Sequence, residues 1–318
     1  MKTPRPLIAA AALAALLAAC SNSGSSSSST TSTTTTAGSG HASKTIGVSI
    51  QNLEAQFYQD MEAGMKSEAA KYGYAITFVD ANRDSAKQQA QVEDFISKKV
   101  DAIVLTPYDS KAIGSAIVEA NNAKIPVFTA DIANTSNQGK VIAHVASDNV
   151  QGGAQAGKLI CQAVKSGNVA ILDEPEVTSV QDRVKGFKAA LAQNCPSVKI
   201  VADVDAGGTR SKANSDMGDI LQAHKNLKGV FGVNDDSALG AVTAIKAAGA
   251  TGIAVVGFDA SPEARAAIKS GDMYGDAIQH PDQIGAKTID AIHAYFTGAK
   301  VPVTTGIPVG TYTKANAQ

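Results

Sequence analysis

The sequence is 318 residues long and almost balanced in charge, with 28 Lys and Arg against 29 Asp and Glu. Because proteins that grip DNA or RNA need a surplus of basic residues, this balance argues against a nucleic-acid partner. With 44% hydrophobic and 18% charged residues, the chain has the composition of a globular protein, and its length suits one large domain or two ordinary ones. Three Cys are too few for a disulfide-dense scaffold and lack the spacing of a zinc site.

The first residues have the pattern of an export signal. Lys2 and Arg5 precede an apolar run over 7–19 that is too short to span a bilayer, and Cys20 follows directly. This pattern predicts a signal peptide over 1–19. The Leu-Ala-Ala-Cys sequence that ends at Cys20 resembles the lipobox of bacterial lipoproteins, which implies that Cys20 becomes a lipidated N-terminus. The alternative is an ordinary signal peptide with an incidental Cys.

A tether separates this signal from the folded part. Residues 21–36 are almost entirely Ser and Thr, so they cannot bury enough apolar surface to offset the entropy lost on folding. We therefore predict that 20–43 is a flexible segment carrying the lipid. The folded part is expected to begin near Lys44, outside the cytoplasmic membrane and held to it by the lipid.

From Thr45 onward, short apolar runs alternate with amphipathic stretches, the pattern of strands that alternate with helices. The first half predicts, in chain order, a strand at 45–50, a helix at 58–72, a strand at 75–79, a helix at 85–98, a strand at 102–105, a helix from 110 and a strand at 126–129. The alternation restarts after Asn149, with helices at 151–165, 180–193, 211–224, 237–248, 262–270 and 281–296, and strands at 169–172, 198–204, 229–233, 253–258 and 273–278. Apolar strands between helices indicate parallel sheets covered on both faces, so we predict an α/β fold of two doubly wound lobes.

Polar residues follow most of these strands at their carboxyl ends, where open α/β sheets bind ligands. With nearby aromatic and basic side chains, the candidates are Gln51, Asn52, Glu54, Phe57, Tyr58, Asp131, Asp173, Glu174, Arg183, Asn234, Asp235, Asp259 and Gln279. Carboxylates, amides, a guanidinium and aromatic faces together suit a neutral ligand rich in hydroxyl groups. The structural alternatives are capping or solvation for the Asp and Asn residues, core packing for one of the two rings, and solvation for Arg183.

Four segments carry a family resemblance. They are IAHVASDNVQGG at 142–153, VFGVNDDSALG at 230–240, VVGFD at 255–259 and QHPDQIGAK at 279–287. Together and in this order they resemble the type I periplasmic solute-binding proteins of ABC transporters, specifically the ribose-binding branch. The resemblance covers nearly all of residues 44–318.

The resemblance implies two lobes joined by three crossovers, with the ligand in the cleft between them. A membrane permease, with its ATPase, reads the closed state, and the protein is expected to be a monomer. The crossovers are expected near 147–149, 279 and 308–311. The lobes are expected at 44–147 plus 280–308 and at 148–279 plus 309–318.

The family's binding residues map onto individual positions. The family has an aromatic pair before the first helix, a first-lobe Asp and a hinge Gln, which match Phe57 and Tyr58, Asp131 and Gln279. Its Arg in an Arg-x-x-Gly-Phe pattern matches Arg183. Its Asn before Asp matches Asn234, and its Asp after Gly-Phe matches Asp259. The resemblance implies that Phe57, alone or with Tyr58, stacks on a sugar and that the polar residues hydrogen-bond it.

The chain also departs from the ribose binders. Ile132 stands where they have Arg, and Ala55 and Gln56 replace an Asn-Pro pair. A second-lobe aromatic is replaced around 207–208. Because Arg offers several fixed donors, its loss leaves part of a ribose unmatched. We therefore expect a linear polyol, another pentose or a ketohexose, or ribose in a changed pose, with Glu54 and Gln56 as candidates to supply substitute contacts.

The remaining cysteines, Cys161 and Cys195, are either joined in a disulfide, which an exported protein permits, or two buried thiols. The sequence leaves both alternatives open. The first lies on the predicted helix at 151–165, and the second just after the helix at 180–193.

Enzymatic function finds little support in the sequence. The nucleophile-elbow, phosphate-loop and zinc-protease motifs are missing, and the five His lack metal-ligand spacing, so neither a cofactor nor a metal is expected. A carboxylate pair of Asp131 and Asp259 for glycoside hydrolysis is a remote alternative. Sugar-sensing repressors share the implied fold but carry a DNA-binding segment where this chain has its signal and tether. A sensor that docks on a chemoreceptor or histidine kinase is the remaining alternative.

Overall fold

The computed structural model describes residues 43–317. The predicted signal peptide, Cys20 and nearly all of the predicted tether lie outside the described residues. In the described part, strands and helices alternate almost throughout and build two sheets. Among these residues, no helix combines the length and the apolar character needed to cross a membrane.

The first part of the chain alternates strands and helices as the apolar periodicity predicts. Its elements are β1 (Thr45–Ile50), α1 (Gln56–Lys71), β2 (Ala75–Asp80), α2 (Ser85–Ser97), β3 (Ala102–Leu105), α3 (Gly114–Asn122), β4 (Val127–Ala130) and β5 (Val141–Ser147). Those of the second part are α4 (Asn149–Val164), β6 (Gly167–Asp173), α5 (Thr178–Asn194), β7 (Val198–Asp205), α6 (Arg210–Ala223), β8 (Leu227–Gly232), α7 (Asp235–Ala247), β9 (Ala254–Asp259), α8 (Pro262–Ser270) and β10 (Gly275–Ile278). The chain ends with α9 (Pro281–Phe296), β11 (Thr304–Ile307) and β12 (Gly310–Thr313).

The two sheets have matching strand orders. The first sheet runs β11-β5-β4-β3-β1-β2 and the second β12-β10-β9-β8-β6-β7. All pairings are parallel except that of β12, which runs antiparallel to β10 at the edge of the second sheet. The chain passes between the sheets after β5, after β10 and between β11 and β12. The prediction of two doubly wound α/β lobes is thus confirmed.

The core of each lobe lies between its sheet and the helices that cover it. Strands β3 and β4 are buried along their whole length, which explains their uninterrupted apolar sequences. In the first lobe, Met61, Met65 and Ala69 recur every four residues along α1 and face the sheet. In the second, Phe187 of α5 stacks on Phe231 of β8 with ring centroids 4.6 Å apart.

The predicted elements differ from the structure mainly at edges. Strands β5, β11 and β12 have no counterpart among the predictions. The edge strands β11 and β12 are short and largely polar, so they give little apolar periodicity, and in the interior strand β5 the polar His144 interrupts the apolar run. The helix predicted from Ser110 begins instead at Gly114. Ser110 is held by contacts to the other lobe, among them a bond from its backbone N–H to the carbonyl of Glu176 at 3.2 Å.

Cys161 and Cys195 form a disulfide bond, with their Cα atoms 5.6 Å apart. The alternative of two buried thiols is therefore wrong. Cys161 lies on α4 and Cys195 immediately follows α5, so the bond joins two helices that pack side by side in the second lobe.

Candidate functional site

The carboxyl ends of both sheets face a common cleft. Its inner cavity, of about 30 Å³, is lined from the first lobe by residues that include Phe57, Tyr58 and Asp131, and from the second by residues that include Arg183, Asn234 and Asp259. Two outer grooves of about 300 and 630 Å³ adjoin the cavity, and Phe57 and Asp259 line both of them as well.

The three other predicted site residues lie at these outer grooves. Glu54 lines the smaller groove, Gln279 the larger one, and Gln56 both. Glu54 and Gln56 are exposed, and the Gln56 amide donates to Asp60 Oδ1 at 2.8 Å. The structure thus brings all nine predicted residues to one cleft but leaves Glu54 and Gln56 at its rim.

Asp131 is buried immediately after β4 and is held by Tyr58. The Tyr58 hydroxyl donates to Asp131 Oδ2 at 3.2 Å, while the Gln51 amide donates to the same hydroxyl. Burial raises the pKa of the Asp131 carboxyl, and the nearby Arg183 charge and the Tyr58 hydrogen bond partly oppose that rise. Asp131 Oδ1 is buried and has no hydrogen-bond partner within residues 43–317.

The aromatic pair lies in the first turn of α1, not before it. The Phe57 and Tyr58 rings are both largely buried and meet edge to face with centroids 5.1 Å apart. Burial, followed by the charge of Asp131, raises the pKa of the Tyr58 hydroxyl well above its ordinary value, so this group remains a donor. Both rings pack in the core of the first lobe and line the inner cavity, and Phe57 also lines the two outer grooves.

Arg183 is a fixed, buried cation of the second lobe. From α5 its Nε donates to Asn149 Oδ1 at 2.9 Å, and its Nη1 donates to the Val233 carbonyl at 2.9 Å. Its guanidinium carbon lies 4.0 Å from the centroid of the Phe258 ring. The alternative of a solvated Arg183 is wrong, since 4% of the residue is exposed.

Asp259 is the last residue of β9 and faces the same cavity. Gln279 Nε2 donates to Asp259 Oδ1 at 2.6 Å, and the Asp235 backbone N–H approaches Oδ2 at 3.4 Å. Burial raises the pKa of Asp259 well above its ordinary value, and the neighbouring Asp235 adds to the rise, while Arg183 opposes it. Gln279 Oε1 is buried without a partner in the described part of the chain.

The two cavity carboxylates share an unusual backbone conformation. Asp131 has φ 64° and Asp259 has φ 129°, and Ala260 continues at φ 60°. Such values cost a non-glycine residue about 1–3 kcal/mol and cluster at functional sites. In both lobes, therefore, a strained turn directly after a buried strand aims a carboxylate into the cleft.

The side chains of Asn234 and Asp235 both make structural hydrogen bonds, and the sequence alone does not distinguish their roles. The Asn234 side chain caps α7 by accepting from the Ser237 N–H at 2.8 Å, and it donates to the Gly208 carbonyl at 3.0 Å. Asp235 is buried and accepts from the Ser261 N–H at 2.7 Å, so capping of its own helix and solvation are both wrong for it. Behind it lies the fully buried Asp276, which the sequence prediction missed.

Two further cavity residues, Arg83 and Glu174, were not among the predicted site residues. Arg83 follows β2 in the first lobe, and Glu174 follows β6 in the second. Arg83 Nη1 lies 2.8 Å from Glu174 Oε1. Glu174 is one of the polar residues that follow a predicted strand, but it matches none of the family's binding positions, and the same strand-end rule, applied after β2, identifies Arg83.

Comparisons with known proteins agree with this architecture. A family model described as a periplasmic binding protein domain matches residues 46–300. The ribose import binding protein RbsB of Salmonella typhimurium is 36% identical over 264 residues, which cover 82% of this chain and 87% of that protein. A xylitol-binding protein of Mycolicibacterium smegmatis is 30% identical over 241 residues, covering 75% of this chain and 68% of that protein.

A solved structure extends the likeness to three dimensions. An ABC transporter solute-binding protein from Mycobacterium smegmatis with bound glycerol superposes with a TM-score of 0.81 at 32% identity, covering 86% of this chain and 96% of that one. The resemblance to type I periplasmic solute-binding proteins of the ribose-binding kind is confirmed. The two matched lobes, the cleft between them and the family model together establish that this chain belongs to the periplasmic binding protein family.

Proposed function

We propose that this protein is the extracytoplasmic solute-binding subunit of an ABC importer and that it binds a monosaccharide or polyol between its lobes. One observation carries the proposal: Asp131 of the first lobe and Asp259 of the second line the same cavity as Arg183. Carboxylates and a guanidinium on opposite walls accept from and donate to hydroxyl groups, which sugars and polyols carry on most carbons. The relatives' names, which refer to ribose, xylitol and bound glycerol, support this ligand class.

The unpaired buried atoms support specific contacts. Asp131 Oδ1 is an acceptor without a partner in residues 43–317, so a ligand hydroxyl is its natural donor. Gln279 Oε1 is a second such acceptor, next to Asp259. Phe57 offers an apolar surface against the C–H groups of the ligand. In this scheme Tyr58 acts chiefly by positioning Asp131, and Asn234 acts chiefly by positioning the turn at Gly208.

Transport requires that the lobes move. We expect the segments 44–147 with 280–308, and 148–279 with 309–318, to move as two bodies about the three chain crossings. A ligand that contacts both lobes stabilises the closed arrangement by its greater affinity for that state. A membrane permease then distinguishes the loaded from the empty protein. Export by the signal at 1–19, a lipid on Cys20 and a monomeric state complete the proposal.

The ligand is proposed to differ from ribose or to bind in a changed pose. Ile132, where the ribose binders have Arg, is 1% exposed and belongs to the same buried apolar cluster as Val177 and Val180 of the second lobe. A side chain packed in this way offers no donor to a ligand. The expected candidates are a linear polyol, another pentose and a ketohexose.

A thermal-shift screen over pentoses, hexoses and polyols tests the proposal. A ligand present at 100 times its Kd adds about 2.7 kcal/mol to stability, which such a screen detects easily. Absence of any shift would contradict sugar binding, and tight calorimetric binding of D-ribose would contradict the altered specificity. Turnover of aryl glycosides that is lost in Asp259→Ala would identify an enzyme instead.

The site itself is tested by two substitutions with the best sugar of the screen. Asp131→Ala and Asp259→Ala should each weaken binding by about 1–3 kcal/mol or more, because partner groups are left unpaired. Asp94→Ala, at an exposed position on α2, is the matched control and should bind like the wild type. Wild-type affinity in both cleft variants would refute the assignment.

A further inference from the structure

The geometry points to Arg83 and Glu174 as an ionic latch, a contact between the lobes that holds the cleft closed beside the binding cavity and so sets how tightly a sugar is retained. This inference rests on the proposed function for its consequence but not for its geometry. The latch is defined by Arg83 on the first lobe and by Glu174 with the Gly207–Gly208 turn on the second.

A single guanidinium reaches three acceptors of the opposite lobe. Arg83 Nη1 donates to Glu174 Oε1 at 2.8 Å and to the Gly207 carbonyl at 2.8 Å, and Nη2 approaches the Gly208 carbonyl at 3.3 Å. The planar fork of Arg suits several acceptors at once, which a Lys ammonium matches poorly. The contact is therefore a directed junction between lobes, unlike a loose surface ion pair.

The backbone on both sides is shaped for this contact. Asn82 and Arg83 are consecutive non-glycine residues in the left-handed region, with φ 53° and 56°. Opposite them, Gly207 and Gly208 have φ 58° and 60°. A Cβ on Gly208 would lie 2.2 Å from Glu174 Oε2, so only glycine lets the turn approach that carboxylate. Glycine adopts this conformation without strain, whereas Asn82 and Arg83 do not, so backbone strain is kept on the Arg83 side of the contact, which indicates that the contact has a role.

The ion pair of Arg83 and Glu174 is largely buried, so breaking it should have a large effect. The Glu174 side chain is 4% exposed and that of Arg83 is 22% exposed, whereas most ion pairs of the described residues are far more open. Removing one partner of a pair so buried leaves a charge without compensation, so breaking it has a large effect.

A second contact between the lobes provides a reporter that involves neither Arg83 nor Glu174. The Ser110 N–H of the first lobe donates to the Glu176 carbonyl at 3.2 Å, and the Thr178 N–H of the second donates to Ser110 Oγ at 3.0 Å. Both amides are protected by bonds that cross the cleft. Their hydrogen exchange therefore measures how often the cleft opens.

The experiment measures amide hydrogen exchange in the full chain without sugar, for wild type, Arg83→Ala, Arg83→Lys and Glu174→Gln. We expect the Ser110 and Thr178 amides to exchange about tenfold faster or more in Arg83→Ala, with a smaller rise in Arg83→Lys. In the double variant Arg83→Ala/Glu174→Gln, these amides should exchange no faster than in Arg83→Ala alone, because both changes break the same contact. Lys188→Ala, which removes an ion pair with Asp203 inside the second lobe, is the matched control.

Unchanged exchange at Ser110 and Thr178 in Arg83→Ala and Glu174→Gln would overturn the latch. Faster exchange of the core strand amides of Val104 and Val256 as well would also overturn it, since the substitutions would then have loosened the fold as a whole. A parallel thermal-shift assay with D-ribose, xylitol and glycerol separates the two proposals. If none of them, nor any sugar in the wider screen, shifts the wild type, the binding proposal fails while the exchange result still decides the latch.

Discussion

The hydroxyl oxygen of Tyr58 lies 3.2 Å from Asp131 Oδ2 and donates to it, so a ring from the first helix holds the carboxylate that ends β4. The same hydroxyl accepts from the Gln51 amide. Since Tyr58 and Asp131 are both buried, this chain of bonds fixes where Asp131 Oδ1 faces the cavity. Under the proposed function, Phe57 contacts the ligand while Tyr58, which also lines the inner cavity, positions the Asp131 acceptor.

Tyr58→Phe should weaken binding of the best sugar by about 1–2 kcal/mol, because Asp131 loses its donor and Gln51 loses its acceptor. Calorimetry on the purified variant measures the change. Tyr274→Phe, at a position that is 38% exposed in the second lobe, is the control and should bind normally. Equal affinities for Tyr58→Phe and wild type would show that the hydroxyl does not position Asp131.

Gly208→Ala should destabilise the protein more than Gly249→Ala does. Both glycines have φ 60°, so both substitutions incur the left-handed backbone penalty of about 1 kcal/mol. Only at Gly208 does the new Cβ meet another atom, Glu174 Oε2 at 2.2 Å, whereas nothing lies within 4 Å at Gly249. Urea denaturation of both variants isolates the cost of that collision. Equal losses would mean that the turn moves aside freely.

Reduction of the disulfide between Cys161 and Cys195 should lower the free energy of unfolding by about 3–4 kcal/mol, because the bond closes a loop in the unfolded chain. The two residues are separated by 34 positions. Denaturation with and without reductant measures the effect. Stability of the Cys161→Ala/Cys195→Ala variant should not respond to reductant, and an unaffected wild type would contradict the prediction.

Asp173 should make stability fall as the pH rises from about 4 to 7. Burial, with help from Asp203 and Asp205, raises its pKa to about 6, against the opposing Glu174 N–H bond and Lys188. An acid with a raised pKa binds its proton more tightly in the folded state, so its stabilising contribution is present at low pH and is lost as the pH passes 6. Asp173→Asn lacks this titration, so its Tm should increase relative to that of the wild type as the pH rises over this range. A constant difference would contradict the raised pKa.

His144 should act in the opposite direction. Burial lowers its pKa to about 4, although a hydrogen bond with the Thr129 backbone opposes the change. The unfolded chain takes up the proton near pH 6.5, so stability is full above that value and is lost as the pH falls toward 4. In His144→Gln the difference in unfolding free energy between pH 7 and pH 5 should shrink. The same difference in variant and wild type would rule out His144 as its source.

The sequence predicts the fold because its physical signals are local. Apolar runs such as 102–105 are buried on both sides, and that burial follows directly from composition. The edge strand β12 is the contrary case, since Gly310–Thr313 is placed by pairing with β10 and not by its own pattern. Pairing between distant segments is invisible to a periodicity argument.

The site residues also differ in whether local sequence or long-range contacts determine their role. Asp131 and Asp259 were predictable because Asp131 directly follows a buried strand and Asp259 is the last residue of one. The position of Arg83 after β2 places it at the cleft, but nothing in its local sequence indicates its partner Glu174, 91 positions away in the other lobe. Asn234 lines the cavity as predicted, yet its side chain is used by a helix cap and by Gly208, a competition that only the fold reveals.

The last two strands have a consequence for how the molecule is assembled. Strand β11 closes one edge of the first sheet and β12 closes one edge of the second, and both come from the final stretch 304–313. Neither sheet is therefore complete until that stretch has been synthesised, although most of both lobes precedes it. Both lobes are thus completed by the same late step, the synthesis of residues 304–313. A chain that stops before residue 304 leaves β5 and β10 as unpaired strand edges of the two sheets.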